Sequence, residues 1–147
     1  MRIRAKAATA LLLVTFLTPI LTSEATAKTT PCSQKQKSAV KKHITKQINA
    51  MGESDWQEAY GYAAKSFQNS ISIELFAEII DKQYEFLIIN DGFTFGACKN
   101  SENTYSQVVR VNFEGSKRTL FYELTLVGKR LGVESATEVR ESPGLAV

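Results

Sequence analysis

The 147-residue sequence has few of the side chains on which most metal and redox chemistry depends. It contains one histidine, His43, and two cysteines, Cys32 and Cys98, which are not spaced as Cys-x-x-Cys. The sequence shows no glycine-rich phosphate loop and no cluster of residues at metal-ligand spacing. We therefore predict no catalytic residue, no metal and no cofactor. His43 lies among lysines, and we expect it at the surface.

The first 27 residues are typical of a secretory signal peptide. Basic residues at positions 2, 4 and 6 precede an apolar run over residues 7–21, and residues 25–27 read Ala-Thr-Ala, a small-x-small cleavage site. We expect cleavage near Ala27 and export to the periplasm or the exterior. An uncleaved membrane anchor is the alternative, although the apolar run is short for a transmembrane span.

Cleavage would remove most of the net positive charge. The full sequence has 18 Lys and Arg against 15 Asp and Glu, and the segment up to Ala27 holds three of the basic residues and Glu24. The remaining 15 basic and 14 acidic residues give no electrostatic reason to expect nucleic acid or a membrane as a partner. We expect residues 28–140 to form a single domain and residues 141–147 a flexible tail.

Both cysteines remain in the predicted mature chain. In an exported protein an even number of cysteines is most simply explained by disulfides, here between Cys32 and Cys98. Two free thiols and a redox pair are the alternatives.

Three helices are predicted in the first half of the domain. Residues 33–51 carry a narrow apolar stripe formed by Val40, Ile44 and Ile48, with a lysine-rich outer face that we expect in solvent, an anionic partner being the alternative. A Ser-x-x-Gln capping pattern at residues 54–57 predicts the start of the second helix, and the third follows residue 72. Residues 86–89 fit either a helix end or a short strand.

Four strands are predicted in the second half, at residues 93–98, 104–112, 118–127 and 131–139, joined by short turns. Apolar residues alternate with polar ones in the two central strands, which is typical of half-buried strands. One face is formed by Tyr105, Gln107, Val109, Val111 and Phe113 in the first of these strands and by Leu120, Tyr122, Leu124 and Leu126 in the second. The predicted fold class is therefore α+β, with three N-terminal helices packed on one face of a four-stranded antiparallel sheet.

Loose hydrophobic motifs in both halves resemble the nuclear transport factor 2-like cone fold. They include Asp55-Trp56-x-x-Ala59-Tyr60, Tyr84-x-x-Leu87 and Leu131-Gly132-Val133. Within that superfamily the chain most resembles a bacterial, often exported family called domain of unknown function 4864, over about residues 41–139. It departs from the pattern at Leu131, where the last strand usually opens with an aromatic residue.

The resemblance implies a curved sheet wrapped around the helices, forming a cone with an apolar pocket. Relatives of this shape include isomerase-like enzymes, dehydratases, small-ligand binders and dimeric adaptors, so the fold does not choose among functions.

We expect an exported, non-enzymatic binding or interaction module. A small apolar or aromatic ligand would contact a pocket formed by Trp56, Tyr60, Phe76, Tyr84, Val109 and Leu124. The alternative is that these side chains simply fill the core.

An isomerase- or dehydratase-like enzyme acting on a small hydrophobic substrate is the alternative function. Such chemistry needs a buried carboxylate facing a hydrogen-bond donor. The candidates are Tyr60, Tyr84, Tyr105 and Tyr122 as donors, and Glu85, Asp91 and Glu123 as carboxylates. Tyr122 and Glu123 are adjacent in one strand and therefore point to opposite faces.

The outer face of the sheet is a candidate homodimer interface. It would carry Arg110, Phe121, Glu123 and Val127, a mixture of apolar and charged residues that suits a modest interface. Arg110 is the lone charge among valines, and it either contacts an anion or simply points outward. A register slip of one residue would exchange this face with the pocket.

Overall fold

The computed structural model of the chain describes residues 27–139. The predicted signal peptide, apart from Ala27, and the predicted tail at residues 141–147 lie outside these residues. Within residues 27–139, no helix is both long enough and apolar enough to cross a membrane.

The described chain contains five helices and five strands. In order they are β1 (Thr30–Pro31), α1 (Gln34–Gly52), α2 (Trp56–Gly61), α3 (Lys65–Ser70), α4 (Ile73–Gln83), α5 (Glu85–Ile88), β2 (Phe93–Ser101), β3 (Thr104–Phe113), β4 (Ser116–Val127) and β5 (Arg130–Val139). The strands form one antiparallel sheet in the order β1-β2-β3-β4-β5. The α+β class is confirmed, but the prediction of three helices and four strands was too low on both counts.

The predicted second helix is in fact α2 and α3, because the residues between them pair with β5. The Val133 N–H donates to the Tyr62 carbonyl and the Ala64 N–H donates to the Val133 carbonyl, both at 2.9 Å. Gly132 permits this close approach, since a Cβ there would lie 2.5 Å from the Ala64 Cα. The tertiary pairing therefore overrides the helical spacing of the apolar residues.

The structure also shows which residue caps α2 and which conformation residues 86–89 adopt. Asp55, and not Ser54, caps α2, because its carboxylate accepts a hydrogen bond from the Glu58 N–H at 2.9 Å. Ser54 instead lies in the left-handed region with φ of 57°. Residues 86–89 belong mostly to the short helix α5 and not to a strand.

The alternation predicted for β3 and β4 is confirmed. The predicted inward residues are buried, except Phe113 and Leu126, which are half-buried, whereas Val127 on the opposite face is 77% exposed. The predicted stripe of α1 packs against the inward face, with Val40, Ile44 and Ile48 at most 1% exposed. Apolar burial on this scale is the main source of the fold's stability.

A disulfide joins Cys32 and Cys98, as predicted, with a sequence separation of 66 and a Cα–Cα distance of 5.4 Å. The missed strand β1 directly precedes it and pairs with β2, and the Cys32 N–H donates to the Cys98 carbonyl at 3.1 Å. The disulfide therefore fixes the start of the described chain to the edge of the sheet.

The regular pairing of the sheet is interrupted twice. Between Phe95 and Cys98 the β2 strand shifts register against β3, and between Val133 and Ser135 the β5 strand shifts against β4. Bulges of this kind bend a strand and increase its twist.

His43 was predicted at the surface, and this is wrong. The ring is half-buried, its Nε2 lies 2.8 Å from the Tyr62 carbonyl, and it meets the Tyr62 ring edge-on at 5.1 Å. Since a carbonyl only accepts, Nε2 carries the proton in this contact. Burial lowers the pKa of His43 below its ordinary 6.5, and the charges of Arg130 and Lys46 lower it further against that hydrogen bond.

Candidate functional site

A mainly apolar cavity of about 220 Å³ lies between the helices and the β4–β5 end of the sheet. Helices α1, α3, α4 and α5 supply one side, and Tyr122 of β4 with the bulged part of β5 supplies the other. The apolar wall includes Met51, Phe67, Phe76, Ile80, Leu87 and Val133. Some wall residues are buried, such as Leu87, and others are partly exposed, such as Phe67. The cavity therefore connects the interior with the surface.

The cavity wall contains two buried polar atoms without a partner. Tyr122 comes from the inward face of β4 and Gln47 from the buried side of α1, and the two residues are 0% and 2% exposed. Within residues 27–139, neither the Tyr122 hydroxyl nor the Gln47 Oε1 has a hydrogen-bond partner. Leaving a buried polar group unpaired costs about 1–3 kcal/mol, so such groups are rare in folded proteins.

Four buried side-chain atoms in the described part of the chain lack a partner, and the cavity sets two of them apart. The other two are Asn100 Oδ1 and Gln107 Oε1, and neither residue belongs to the wall of this cavity. Only Tyr122 and Gln47 therefore combine an unmet hydrogen bond with neighbouring space.

The charge state of Tyr122 is set by its surroundings. Complete burial raises the pKa of its hydroxyl far above the ordinary value of 10, and the nearby Tyr84 raises it further. The phenol is therefore neutral at physiological pH, and its O–H is a hydrogen-bond donor that has no acceptor among the described residues.

Aromatic rings form the helical side of the cavity. Phe76 of α4 is at the centre, with Phe67 at 6.0 Å and Tyr60 at 5.8 Å between ring centroids. The single proton of the Tyr60 hydroxyl is shared between the carbonyls of Gln68 and Ile71, whose oxygens lie 2.9 and 2.7 Å from the hydroxyl oxygen. These bonds hold the end of α3 against α2 and so fix the position of Phe67.

Of the six residues predicted to contact a ligand, two line the cavity and four do not. Phe76 and Tyr84 line the cavity. Trp56 and Tyr60 pack against the core, Trp56 meeting Phe76 edge-on at 6.5 Å, but they are not part of the described wall. Val109 and Leu124 are fully buried core residues away from that wall.

Glu134 is the one carboxylate in the described wall, and the sequence did not single it out. Its oxygens accept hydrogen bonds from the Ser66 hydroxyl at 2.6 Å and the Thr125 hydroxyl at 2.8 Å. The carboxylates considered from the sequence, Glu85, Asp91 and Glu123, are exposed and lie outside the wall. Among the described residues, no His, Cys, Asp and Glu group could hold a metal.

The candidate homodimer residues are all on the outside. Arg110, Phe121, Glu123 and Val127 are exposed, so the face that they share is available to a partner. Arg110 therefore occupies the outward strand position. Glu123 accepts a hydrogen bond from the Ser135 hydroxyl at 3.0 Å. A homodimer through this face stays a prediction.

Two further hollows lie at the surface. One, of about 290 Å³, lies between α3 and the β4–β5 turn, and the other, of about 410 Å³, lies beside Arg118 and Tyr84. Neither is lined by Tyr122 or Gln47, and most of their described lining is exposed or half-exposed. The cavity with the two unpartnered atoms is therefore the better candidate site.

Sequence reasoning placed Tyr122 correctly on the inward face but missed Gln47. The signal was present, because Gln47 follows Ile44 by three residues and precedes Met51 by four, which puts it on the apolar side of α1. A polar residue inside an apolar stripe is therefore worth testing as a site residue.

The comparisons with known proteins bear on the family. The model of a family described as Domain of unknown function (DUF4864) matches residues 33–139. No curated protein and no solved structure matches the chain. The matched segment runs from the N-cap of α1 to the end of β5 and contains every residue named above in the cavity wall. The chain therefore belongs to the family described as Domain of unknown function (DUF4864).

Proposed function

We propose that this chain is a non-enzymatic protein that binds a small, mainly apolar molecule in the cavity. The observation that carries the proposal is the Tyr122 hydroxyl, which is buried in the cavity wall and has no partner among the described residues. Binding sites for small molecules are typically apolar cavities with a few polar groups that orient the ligand. A ligand would supply the missing hydrogen bond and exchange water for apolar contact.

We also propose that the protein is exported. The N-terminal sequence pattern supports this, and so does the Cys32–Cys98 disulfide, because disulfides persist mainly in oxidising compartments.

The fold is proposed to be a cone fold of the nuclear transport factor 2-like type. The order of helices before an antiparallel sheet supports this, as do the two bulges, which bend the sheet, and the cavity beneath its β4–β5 end.

The isomerase- or dehydratase-like alternative has less support. It would need a carboxylate inside the cavity, and Glu134 already accepts hydrogen bonds from two hydroxyls at the partly exposed part of the wall.

The proposal can be tested with toluene as an apolar probe. A cavity of about 150 Å³ with apolar walls is large enough for benzene, so toluene should enter this one. Added to the full chain, produced with its disulfide intact, toluene should shift the backbone amide NMR signals of wall residues in a saturable way. Signals from the outer sheet face should stay unchanged.

A pair of alanine variants provides the control. Ala136→Leu adds bulk to the cavity wall and should abolish the response to toluene, whereas Ala39→Leu on the exposed side of α1 should leave it unchanged. No saturable response in the wild type, or an equal response in both variants, would contradict the proposed function.

A further inference from the structure

We propose that the ligand is a neutral molecule with an apolar body and one group that both accepts and donates a hydrogen bond, such as a primary amide or an alcohol. This inference rests on the proposed function and specifies the ligand of that same cavity. It follows from the opposite requirements of the Tyr122 hydroxyl and the Gln47 Oε1, which lie in one wall.

The Gln47 side chain is oriented by the protein. Its Nε2 donates to the Ala59 carbonyl at 3.2 Å in the buried core. Turning the amide over would place Oε1 against that carbonyl, with two acceptors facing each other, so the observed orientation is the stable one. The atom left without a partner is therefore Oε1, an acceptor that requires a donor from the ligand.

The Tyr122 hydroxyl has the opposite requirement. Its proton is retained at neutral pH, as described above, and no described protein acceptor takes it. The ligand must therefore present an acceptor to Tyr122 and a donor to Gln47. A primary amide, with one C=O and one NH₂, meets both requirements, and a hydroxyl group meets both with a single oxygen.

The lining argues for a neutral ligand. The described wall contains no Lys or Arg, so a carboxylate or phosphate would be buried without a counter-charge, and Glu134 would repel it. An ammonium group only donates hydrogen bonds, so it would leave the Tyr122 proton without an acceptor. Its positive charge would also lack a neutralising carboxylate at the buried end of the described wall.

The volume limits the size of the ligand. Since benzene needs a cavity of about 150 Å³, the observed 220 Å³ accommodates one six-membered ring with a single small polar substituent. Edge-to-face contacts with Phe76 and Tyr84 would favour a flat apolar body.

The test compares four probes of nearly equal size: benzamide, toluene, benzoate and benzylammonium. Their dissociation constants for the full, disulfide-bonded chain are measured by NMR titration at neutral pH. We expect benzamide to bind about ten-fold tighter than toluene, the gain that one or two buried hydrogen bonds give. Benzoate and benzylammonium should bind more weakly than toluene.

Two variants assign the gain to the two atoms. Tyr122→Phe and Gln47→Met keep the side-chain volume nearly unchanged, and in each variant the ratio of benzamide affinity to toluene affinity should fall from about ten toward one. Saturable toluene binding by both variants shows that the cavity still accepts a probe. In Gln47→Met the Ala59 carbonyl keeps its bond from the Tyr62 N–H at 3.2 Å.

The outcomes separate this inference from the proposed function. If benzamide binds no tighter than toluene in the wild type, or if a charged probe binds tightest, the inference is overturned and the proposed function stands. If none of the four probes binds, both are overturned.

Discussion

The two bulges of the sheet differ in what lies beside them. At the β2 bulge is the buried Gln107 side chain, whose Nε2 shares its two protons among the carbonyls of Gly96, Ala97 and Val108 at 3.0, 3.3 and 2.9 Å. At the β5 bulge, the bulge residues Val133, Glu134 and Ser135 line the cavity.

The difference shows that a bulge can be packed by a buried polar side chain or can border a cavity. At the β2 bulge, the Gln107 side chain donates to backbone carbonyls of the bulge. These hydrogen bonds and the adjacent Cys32–Cys98 disulfide hold this end of the sheet together. At the β5 bulge the N–H and carbonyl of Val133 already pair with Tyr62 and Ala64. The Tyr122 hydroxyl has no partner in the described chain, and the proposed ligand would supply one.

The largest expected effect concerns the closed end of the sheet. Replacing both Cys32 and Cys98 by serine should lower the free energy of unfolding by about 4 kcal/mol, because the disulfide restricts a long loop in the unfolded chain. Denaturant unfolding followed by circular dichroism measures the loss. Adding a reductant should destabilise the wild type equally and leave the double variant unchanged. A double variant as stable as the wild type would contradict this role.

A second prediction concerns the backbone contact at the open end. Gly132→Ala should cost about 3 kcal/mol, near the top of the range for overpacking, because its Cβ would lie 2.5 Å from the Ala64 Cα and 2.9 Å from the Ala64 N. Gly61→Ala is the matched control, since a Cβ there has no neighbour within 4 Å among the described residues. It should be neutral or stabilise by about 0.4–1 kcal/mol. Equal effects of the two variants would argue against the close contact.

The third prediction compares the two polar side chains directly. Gln107→Met should destabilise the fold by about 1–2 kcal/mol, since three backbone carbonyls lose a donor. Tyr122→Phe should leave the free energy of unfolding unchanged or raise it by about 1 kcal/mol, because it removes a buried hydroxyl that has no partner in the described chain. If Tyr122→Phe is the more destabilising of the two, the hydroxyl is bonded within the protein and the comparison fails.

The smallest expected effect is on pH dependence. The pKa of His43 is lower in the folded protein than its ordinary 6.5, so the unfolded chain binds a proton first as the pH falls. The contribution of His43 to the free energy of unfolding is therefore fully present above pH 6.5. It declines as the pH falls from 6.5 to the pKa of His43 in the folded protein. Measured between about pH 7.5 and about pH 5.5, where few other groups titrate, unfolding of His43→Gln should vary less with pH than unfolding of the wild type. An unchanged slope would contradict this.

Much of the fold could be predicted because it depends on local periodicity. The alternation through Tyr122 and its neighbours, and the stripe through Ile44 in α1, each assign a buried face without reference to the rest of the chain. The α+β class follows from their order, and the disulfide follows from cysteine number and the export pattern.

The remaining features depend on contacts between distant residues. Residues 62–64 leave the helical conformation only because β5 offers partners and Gly132 offers space. The two-residue strand β1 is too short to give a pattern, and the bulges depend on pairing that no single strand encodes. The sequence pointed to Phe76 and Tyr84 but not to Gln47. That the Gln47 Oε1 lacks a hydrogen-bond partner, and that Gln47 lines a cavity, can be known only from the tertiary structure.

The most direct test of the central claim, that the β5 end is left open for a polar group of a ligand, is a crystal structure of the full chain soaked with benzamide. We predict ring density next to Phe76 and Tyr84, with the amide within hydrogen-bond distance of the Tyr122 hydroxyl and the Gln47 Oε1. A cavity filled by protein side chains, with the Tyr122 hydroxyl bonded to a protein acceptor, would contradict the account.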